Sequence, residues 1–403
     1  MRAKAIVVAT TMALIGASAG PIDVAAIRTS RGSREAYLAH ATIWQTPPAL
    51  STTELFDGPP GAFPYTVEEA TSDEGIACTF AQAGKELGGN SPKFLCRTAD
   101  GRSLRLKYWD PRSRSGSHEV FATVAASRLM WALGFEAVPS LPMNVRCDGC
   151  PENPMKGTGL PGTRRYDAMS QAFWPTPSIL SGEDLDQGWS WQELGAAIRS
   201  LPPGAERTRQ RTQFDALTLL GVFLQHGDRK AEQQRLYCAA SFDAASGDLQ
   251  MMNGHTTMLF ERPGAMACPT SAVTILDTGA TFGGGGRASR ESTAKMNLEA
   301  WQESRVFKTN EGAGCRGHLT VSLKARDDGE PNPIISEQGR RFLSEQLHRL
   351  TSDHVRAIFR AARVDQLDDP RHGSASRHGI EAWVSAFEDK VRQIDAQRCQ
   401  PFN

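Results

Sequence analysis

The sequence predicts an α+β fold, with a small antiparallel sheet followed by a larger, mainly helical body. Short alternating apolar runs cluster between residues 75 and 109, whereas apolar spacings of three and four dominate after residue 190. Turn signals such as Asp100-Gly101 separate the short runs, and glycine- and proline-rich stretches bound the longer ones. No internal repeat of solenoid period is present. At 403 residues the chain suits one large two-part domain or two small ones.

The elements follow in order. Met1-Arg2-Ala3-Lys4 is a charged start, residues 5–17 are a short apolar run, and Ala17-Ser18-Ala19 is a small-residue cleavage site. Residues 1–19 therefore read as a signal peptide cleaved after Ala19, which predicts a secreted or periplasmic protein. No later run approaches the roughly eighteen apolar residues of a membrane-spanning helix, so no transmembrane segment is expected. Residues 20–72 are rich in Pro, Ala, Thr and Gly and read as an extended N-terminal segment. Strands are expected over 75–83 and 93–98, and the Asp100-Gly101 turn leads to a third over 104–109 that carries Lys107. Ser117 is placed to cap a helix beginning near Glu119, with Val120, Val124 and Met130 or Trp131 on one face and Gly134 at its end. Residues 137–147 read as strand and hinge, and 148–176 as a Pro- and Gly-rich junction. Helices are expected over 190–200 and 208–225, the second burying Phe214, Leu217, Leu220 or Gly221, and Leu224. Short strands over 235–239, 249–252, 256–260 and 272–276 come next, then helices over 335–363 and 380–396.

Two segments carry chemistry. His226-Gly227-Asp228-Arg229-Lys230-Ala231-Glu232-Gln233 runs on from the long helix, and Ile275-Leu276-Asp277-Thr278-Gly279 ends a later apolar strand. An Asp, a Lys two residues on and an amide five residues on can hold a hydroxyl acceptor, a transferring phosphate and a metal, and the Asp-x-Gly can supply a second metal contact. Residues 226–233 resemble the protein-kinase catalytic loop His-Arg-Asp-Leu-Lys-Pro-Glu-Asn, with His, Asp, Lys and Glu in register. With Lys107 on a strand and Glu119 opening the next helix, residues 75–365 are similar to atypical kinases of the HipA and phosphatidylinositol-kinase-like group and to secretory-pathway protein kinases.

That resemblance implies a two-lobed protein-kinase-like fold, with an N-lobe over 73–147 and a C-lobe with C-terminal helices over 148–403. It implies ATP as cofactor with Mg²⁺ or Mn²⁺, and γ-phosphate transfer to a hydroxyl acceptor, whether protein, lipid, sugar or small molecule. Lys107, paired with Glu119, would hold the α/β-phosphates, and Gly88, Gly89 and Lys93 would make further phosphate contacts. Asp228 would orient the acceptor and take its proton, Lys230 would steady the γ-phosphate, and Asp277 and Gln233 would hold metal. Departures are visible: the loop over 84–92 does not match Gly-x-Gly-x-x-Gly, Gln233 stands where Asn is usual, and Thr278 stands where Phe is usual. Glu119 also suits a helix N-terminus without any catalytic role, and Asp228 also suits a plain turn.

Other readings stay open. Residues 275–281 resemble the aspartic-protease motif, although no second Asp-Thr-Gly or Asp-Ser-Gly supplies the dyad, leaving only a homodimer. A nucleotide-binding pseudokinase or binding protein is the third class, and nucleotide transfer is compatible with the same cleft. Formal net charge is zero, so nothing sequence-wide draws the chain to nucleic acid. Eight cysteines suit up to four disulfides, and Cys147-Asp148-Gly149-Cys150 reads as a disulfide, a redox pair or half a zinc site. His226 is expected to support its loop by hydrogen bonding.

Overall fold

The computed structural model describes residues 31–81, 91–110, 118–172, 188–238, 271–284, 295–308, 315–320, 332–368 and 378–399. The signal peptide, Gly88 and Gly89, Ser117 and the strands expected over 249–252 and 256–260 lie outside the described residues.

Three helices occupy the stretch expected to be extended: α1 (Arg31–Ala39), α2 (Thr52–Asp57) and α3 (Val67–Thr71). The last two are short, and capping boxes hold them. Ser51 accepts from the Glu54 N–H while Glu54 accepts from the Ser51 N–H, and Thr66 and Glu69 repeat the arrangement.

Strands β1 (Ile76–Ala81), β2 (Lys93–Thr98) and β3 (Ser103–Tyr108) form the expected antiparallel meander. Helix α4 (Glu119–Ala132) follows, then a long hairpin of β4 (Ser140–Cys150) and β5 (Gly162–Gln171). Strand β5 lies within the stretch read as a junction. Its first six residues are half-buried or exposed, so they give no apolar run in sequence. Because β5 also pairs with β3, and β4 pairs in parallel with β1, the five strands close into a barrel in the order β1-β2-β3-β5-β4. Phe94, Leu106, Tyr108, Leu141, Met143 and Val145 share the core of this barrel with two disulfides, Cys78–Cys96 and Cys147–Cys150.

Helix α4 packs on β3, β4 and β5. The same helix also meets α9 (Ser352–Ala361). Enclosed on both sides, it is buried from Glu119 to Met130, and only Trp131 is half-exposed. The one-sided pattern expected for it is therefore too narrow, since a helix apolar all round sits inside a core.

The remaining elements are α5 (Trp191–Ser200), α6 (Ala205–Phe223), β6 (Gln234–Cys238), β7 (Ser271–Ile275), α7 (Leu298–Glu303), β8 (Cys315–Arg316), β9 (Ile334–Ile335), α8 (Glu337–Leu347) and α10 (Ile380–Ala396). The single helical run expected over 335–363 is two helices, because Thr351 caps the second by accepting from the His354 N–H. The second core gathers Phe223, Phe282, Trp301, Phe359 and Trp383, with Phe282 and Trp301 ring centroids 5.1 Å apart. A third disulfide, Cys315–Cys399, ties β8 to the segment after α10. Among the described residues no helix is long and apolar enough to cross a membrane.

Candidate active site

Strand alternation aims Lys107. Leu104, Leu106 and Tyr108 belong to the barrel core, so the side chain between the last two leaves on the opposite face, towards α4. There the Lys107 ammonium lies 3.1 Å from Glu119 Oε1 and 2.9 Å from Asp277 Oδ2. Burial works against the Lys107 charge, yet the Asp277 and Glu119 carboxylates outweigh it and hold its pKa above the ordinary lysine range. Burial likewise pushes Asp277 up, but the Lys107 ammonium and the Gly279 N–H, which donates to Oδ1 at 3.0 Å, bring it below the usual carboxylate range.

Gly279 makes this meeting possible. A Cβ at that position would fall on the Glu119 side chain, so only glycine lets the Asp-x-Gly segment lie against the start of α4. Lys93 sits opposite Lys107 in the β2–β3 register and is buried. Burial lowers its pKa first, then the neighbouring Lys107 and Arg105 charges, against the pull of Glu119 and Asp277.

The loop after α6 is fixed mainly by its backbone. Gln225 ends the helix with φ +54°, a left-handed conformation uncommon outside glycine, and its buried amide donates to the His318 carbonyl at 2.7 Å and accepts from the Thr320 N–H at 2.8 Å. The Gly227 N–H donates to the Ala280 carbonyl at 3.0 Å, and the Leu276 N–H donates to the Gln233 carbonyl at 2.9 Å. Strands β6 and β7 then pair Gln234 with Ile275, so the two chemistry-bearing segments are stitched side by side. Arg229 adds a guanidinium over the Trp191 ring, 4.6 Å from its centroid.

The His226 ring is fully buried, and burial, helped by Arg229, lowers its pKa to about 4, which keeps the imidazole neutral. The Ala280 backbone acts on it as a hydrogen-bond partner would, opposing that fall, although the contact falls short of strict hydrogen-bond geometry. Asp228 is half-buried, with Lys230 Nζ 3.4 Å from Oδ1, an ion-pair distance. Burial raises the Asp228 pKa, Lys230 opposes the rise, and Asp277 adds to it. Gln233 is half-buried in the turn that leads into β6.

Lys107, Glu119 and Asp277 thus meet directly, while Lys93 and the Asp228–Lys230 pair lie within electrostatic reach of them. Two further residues that the sequence did not single out complete the surroundings of Glu119. Ser91 Oγ donates to Glu119 Oε2, and Lys295 Nζ lies 3.6 Å from the same oxygen. Ser91 had a weak signal in its place beside the glycine-rich loop, but nothing around Lys295 marks it in sequence.

Metal-binding groups can also be sorted. Among the described residues Cys78, Cys96 and Cys147 cluster closely enough for a metal, but all three are oxidised in disulfides and offer no thiolate. The zinc reading of Cys147 and Cys150 gives way to the disulfide between them. Around Asp277 the donors are oxygen atoms, which suits a hard cation that takes one or two carboxylates and completes its shell with phosphate oxygens and water.

No protein-family model and no curated protein matches the chain. Among solved structures the chain is similar to the Helicobacter pylori proinflammatory kinase CtkA, with TM-score 0.39 and 11% identity over 79% of this chain and 95% of that chain. It is also similar to the golgi casein kinase, with TM-score 0.32 and 13% identity over 81% of this chain and 72% of that chain.

Proposed function

We propose that the chain is an exported, ATP-dependent phosphotransferase of two-lobed, protein-kinase-like build, moving the γ-phosphate to a hydroxyl acceptor. The observation that carries this reading is the Lys107 ammonium shared between Glu119 and Asp277, contributed by a strand, a helix and a distant Asp-x-Gly turn. Such a pair of ion contacts aims one lysine where polyphosphate would lie, and it costs desolvation that folding alone does not require. The barrel with α4 would form the N-lobe, and the helices from α5 onward the C-lobe.

Roles follow from chemistry. Lys107 would hold the α/β-phosphates, and Lys93 would add positive charge beside it, with Gly88 and Gly89 over the same phosphates. Asp277 and Gln233 would hold Mg²⁺ or Mn²⁺, which when bound neutralises charge on the β- and γ-phosphates. Asp228 would accept a hydrogen bond from the acceptor hydroxyl. The acceptor oxygen bonds to the γ-phosphorus as the bond to the β-bridging oxygen breaks, ADP leaves, and the hydroxyl proton passes to Asp228 late in the step. An Asp228 pKa raised by burial suits that proton transfer. Lys230 would balance charge on the moving phosphoryl group.

The protease alternative fits poorly, because Asp277 engages an ammonium and a backbone N–H, whereas a dyad needs a second carboxylate sharing its proton. Gln233, longer than Asn by a methylene, favours as second reading a nucleotide-binding pseudokinase. The three described disulfides support an oxidising compartment.

Calorimetry of disulfide-intact protein with ATP and Mg²⁺ or Mn²⁺ tests the reading. The wild type should bind nucleotide in a metal-dependent way, and Asp277→Ala should weaken that binding about tenfold or more. Absence of metal-dependent heat with every nucleotide would overturn it.

A further inference from the structure

We propose that Lys295, which approaches the other oxygen of the Glu119 carboxylate from the one Lys107 holds, is a phosphate-holding residue for the nucleotide's polyphosphate. This rests on the phosphotransferase reading and adds to it a residue outside the recognisable motifs.

Glu119 already has one full partner. Lys107 meets Oε1 at 3.1 Å, while Oε2 receives Ser91 Oγ and a second ammonium, Lys295, at 3.6 Å. The Lys295 side chain is only 12% exposed, although a surface lysine normally keeps its ammonium in water. Its charge also reaches Asp277, lowering that carboxylate's pKa alongside Lys107. Lys93, Lys107 and Lys295 thus bring three ammonium groups to Glu119 and Asp277. A polyphosphate offers several oxygens that such a group of positive charges can hold at once.

The backbone holds Lys295 in position. The Met296 N–H donates to the Thr281 carbonyl at 3.0 Å, and the Asn297 N–H donates to the Phe282 carbonyl at 2.8 Å, so the segment that leaves after Asp277 is pinned where it returns. Both Phe282, with φ +56°, and Met296, with φ +45°, take the left-handed conformation that non-glycine residues rarely adopt.

The test compares ligands that differ only in phosphate number. Wild type, Lys295→Ala and Lys295→Arg are titrated calorimetrically with ATP, AMP and adenosine in the presence of Mn²⁺, after thermal melts check that each variant is folded. Lys295→Ala should lose roughly tenfold or more in ATP affinity, less for AMP, and nothing for adenosine, while Lys295→Arg should recover ATP binding to within about threefold. Equal losses for ATP and adenosine would mean a merely structural role and would overturn the proposal, as would an unchanged ATP affinity. If Lys295→Ala does not fold, the folded Lys295→Arg variant and Lys295→Gln are compared on the same ligands, and equal ATP affinity for the two would overturn it. Loss of nucleotide binding already in the wild type would instead overturn the phosphotransferase reading, and Lys295 with it.

Discussion

A neutral imidazole sealed under a charged site has a measurable signature. His226 titrates at about 4 when folded, against an ordinary value of 6.5, so between these pH values the unfolded chain binds more protons than the folded one. Stability is therefore lost as pH falls through that window. By about pH 4.5 the His226 contribution to the loss should be roughly 2–3 kcal/mol. Asp277 adds little at about pH 4.5, because its folded carboxylate stays charged and the unfolded one takes up most of its protons only below its ordinary 3.8; the same small loss enters wild type and variant. Urea unfolding at about pH 7 and about pH 4.5 should show His226→Gln losing less stability on acidification than the wild type, by about that amount. Equal losses would mean that the imidazole is not buried neutral. The position of His226 was legible from its motif; its complete burial was not, because that depends on packing by residues far away in sequence.

Between elements, the decisive contact is that of the Asp-x-Gly turn with the first turn of α4. Gly279→Ala would drive a methyl group into the Glu119 side chain, separating Lys107 from one of its carboxylates. The expected outcome is a stability loss of about 1–3 kcal/mol together with loss of metal-dependent ATP binding, read by urea unfolding and calorimetry. Wild-type behaviour in both would contradict the close approach. Lys107, Glu119 and Asp277 could be picked out in sequence because each sits at a position that local rules mark: mid-strand, first helical turn and strand end. Lys295 escaped because it is a solitary lysine beyond a glycine-rich stretch, next to residues that bond back to the Thr281 and Phe282 carbonyls. Helices α2 and α3 escaped for another reason: their apolar periodicity is too short to register, although Ser51 with Glu54 and Thr66 with Glu69 had the capping-box spacing. Strand β5 hid because its first half is polar on both faces.

At the scale of the whole molecule, Cys315 and Cys399 close a loop across 84 residues that includes α8, α9 and α10. Chain-entropy arguments give such a link about 4–5 kcal/mol, so Cys315→Ala with Cys399→Ala should lower stability by several kcal/mol in urea, and an unchanged midpoint would contradict a structural role. Closure of the barrel could not be read from sequence, since the parallel pairing of β1 with β4 joins strands separated in the chain by β2, β3 and α4. The barrel nevertheless sets Lys107 against α4, and β6 with β7 brings Asp228 within electrostatic reach of Asp277, so one arrangement gathers the groups proposed to hold nucleotide and acceptor. That claim is tested most directly by comparing wild type with Asp228→Ala, using ATP labelled separately at the α- and γ-phosphates and protein, lipid, sugar and small-molecule acceptors, with ATP affinity measured alongside. The account predicts γ-label transfer by the wild type, its abolition in Asp228→Ala, and ATP affinity changed by no more than a few fold, because Asp228 acts chiefly in the transition state. Transfer of the α-label would indicate nucleotidylation, and equal γ-transfer by both proteins, or no label on any acceptor, would contradict the account.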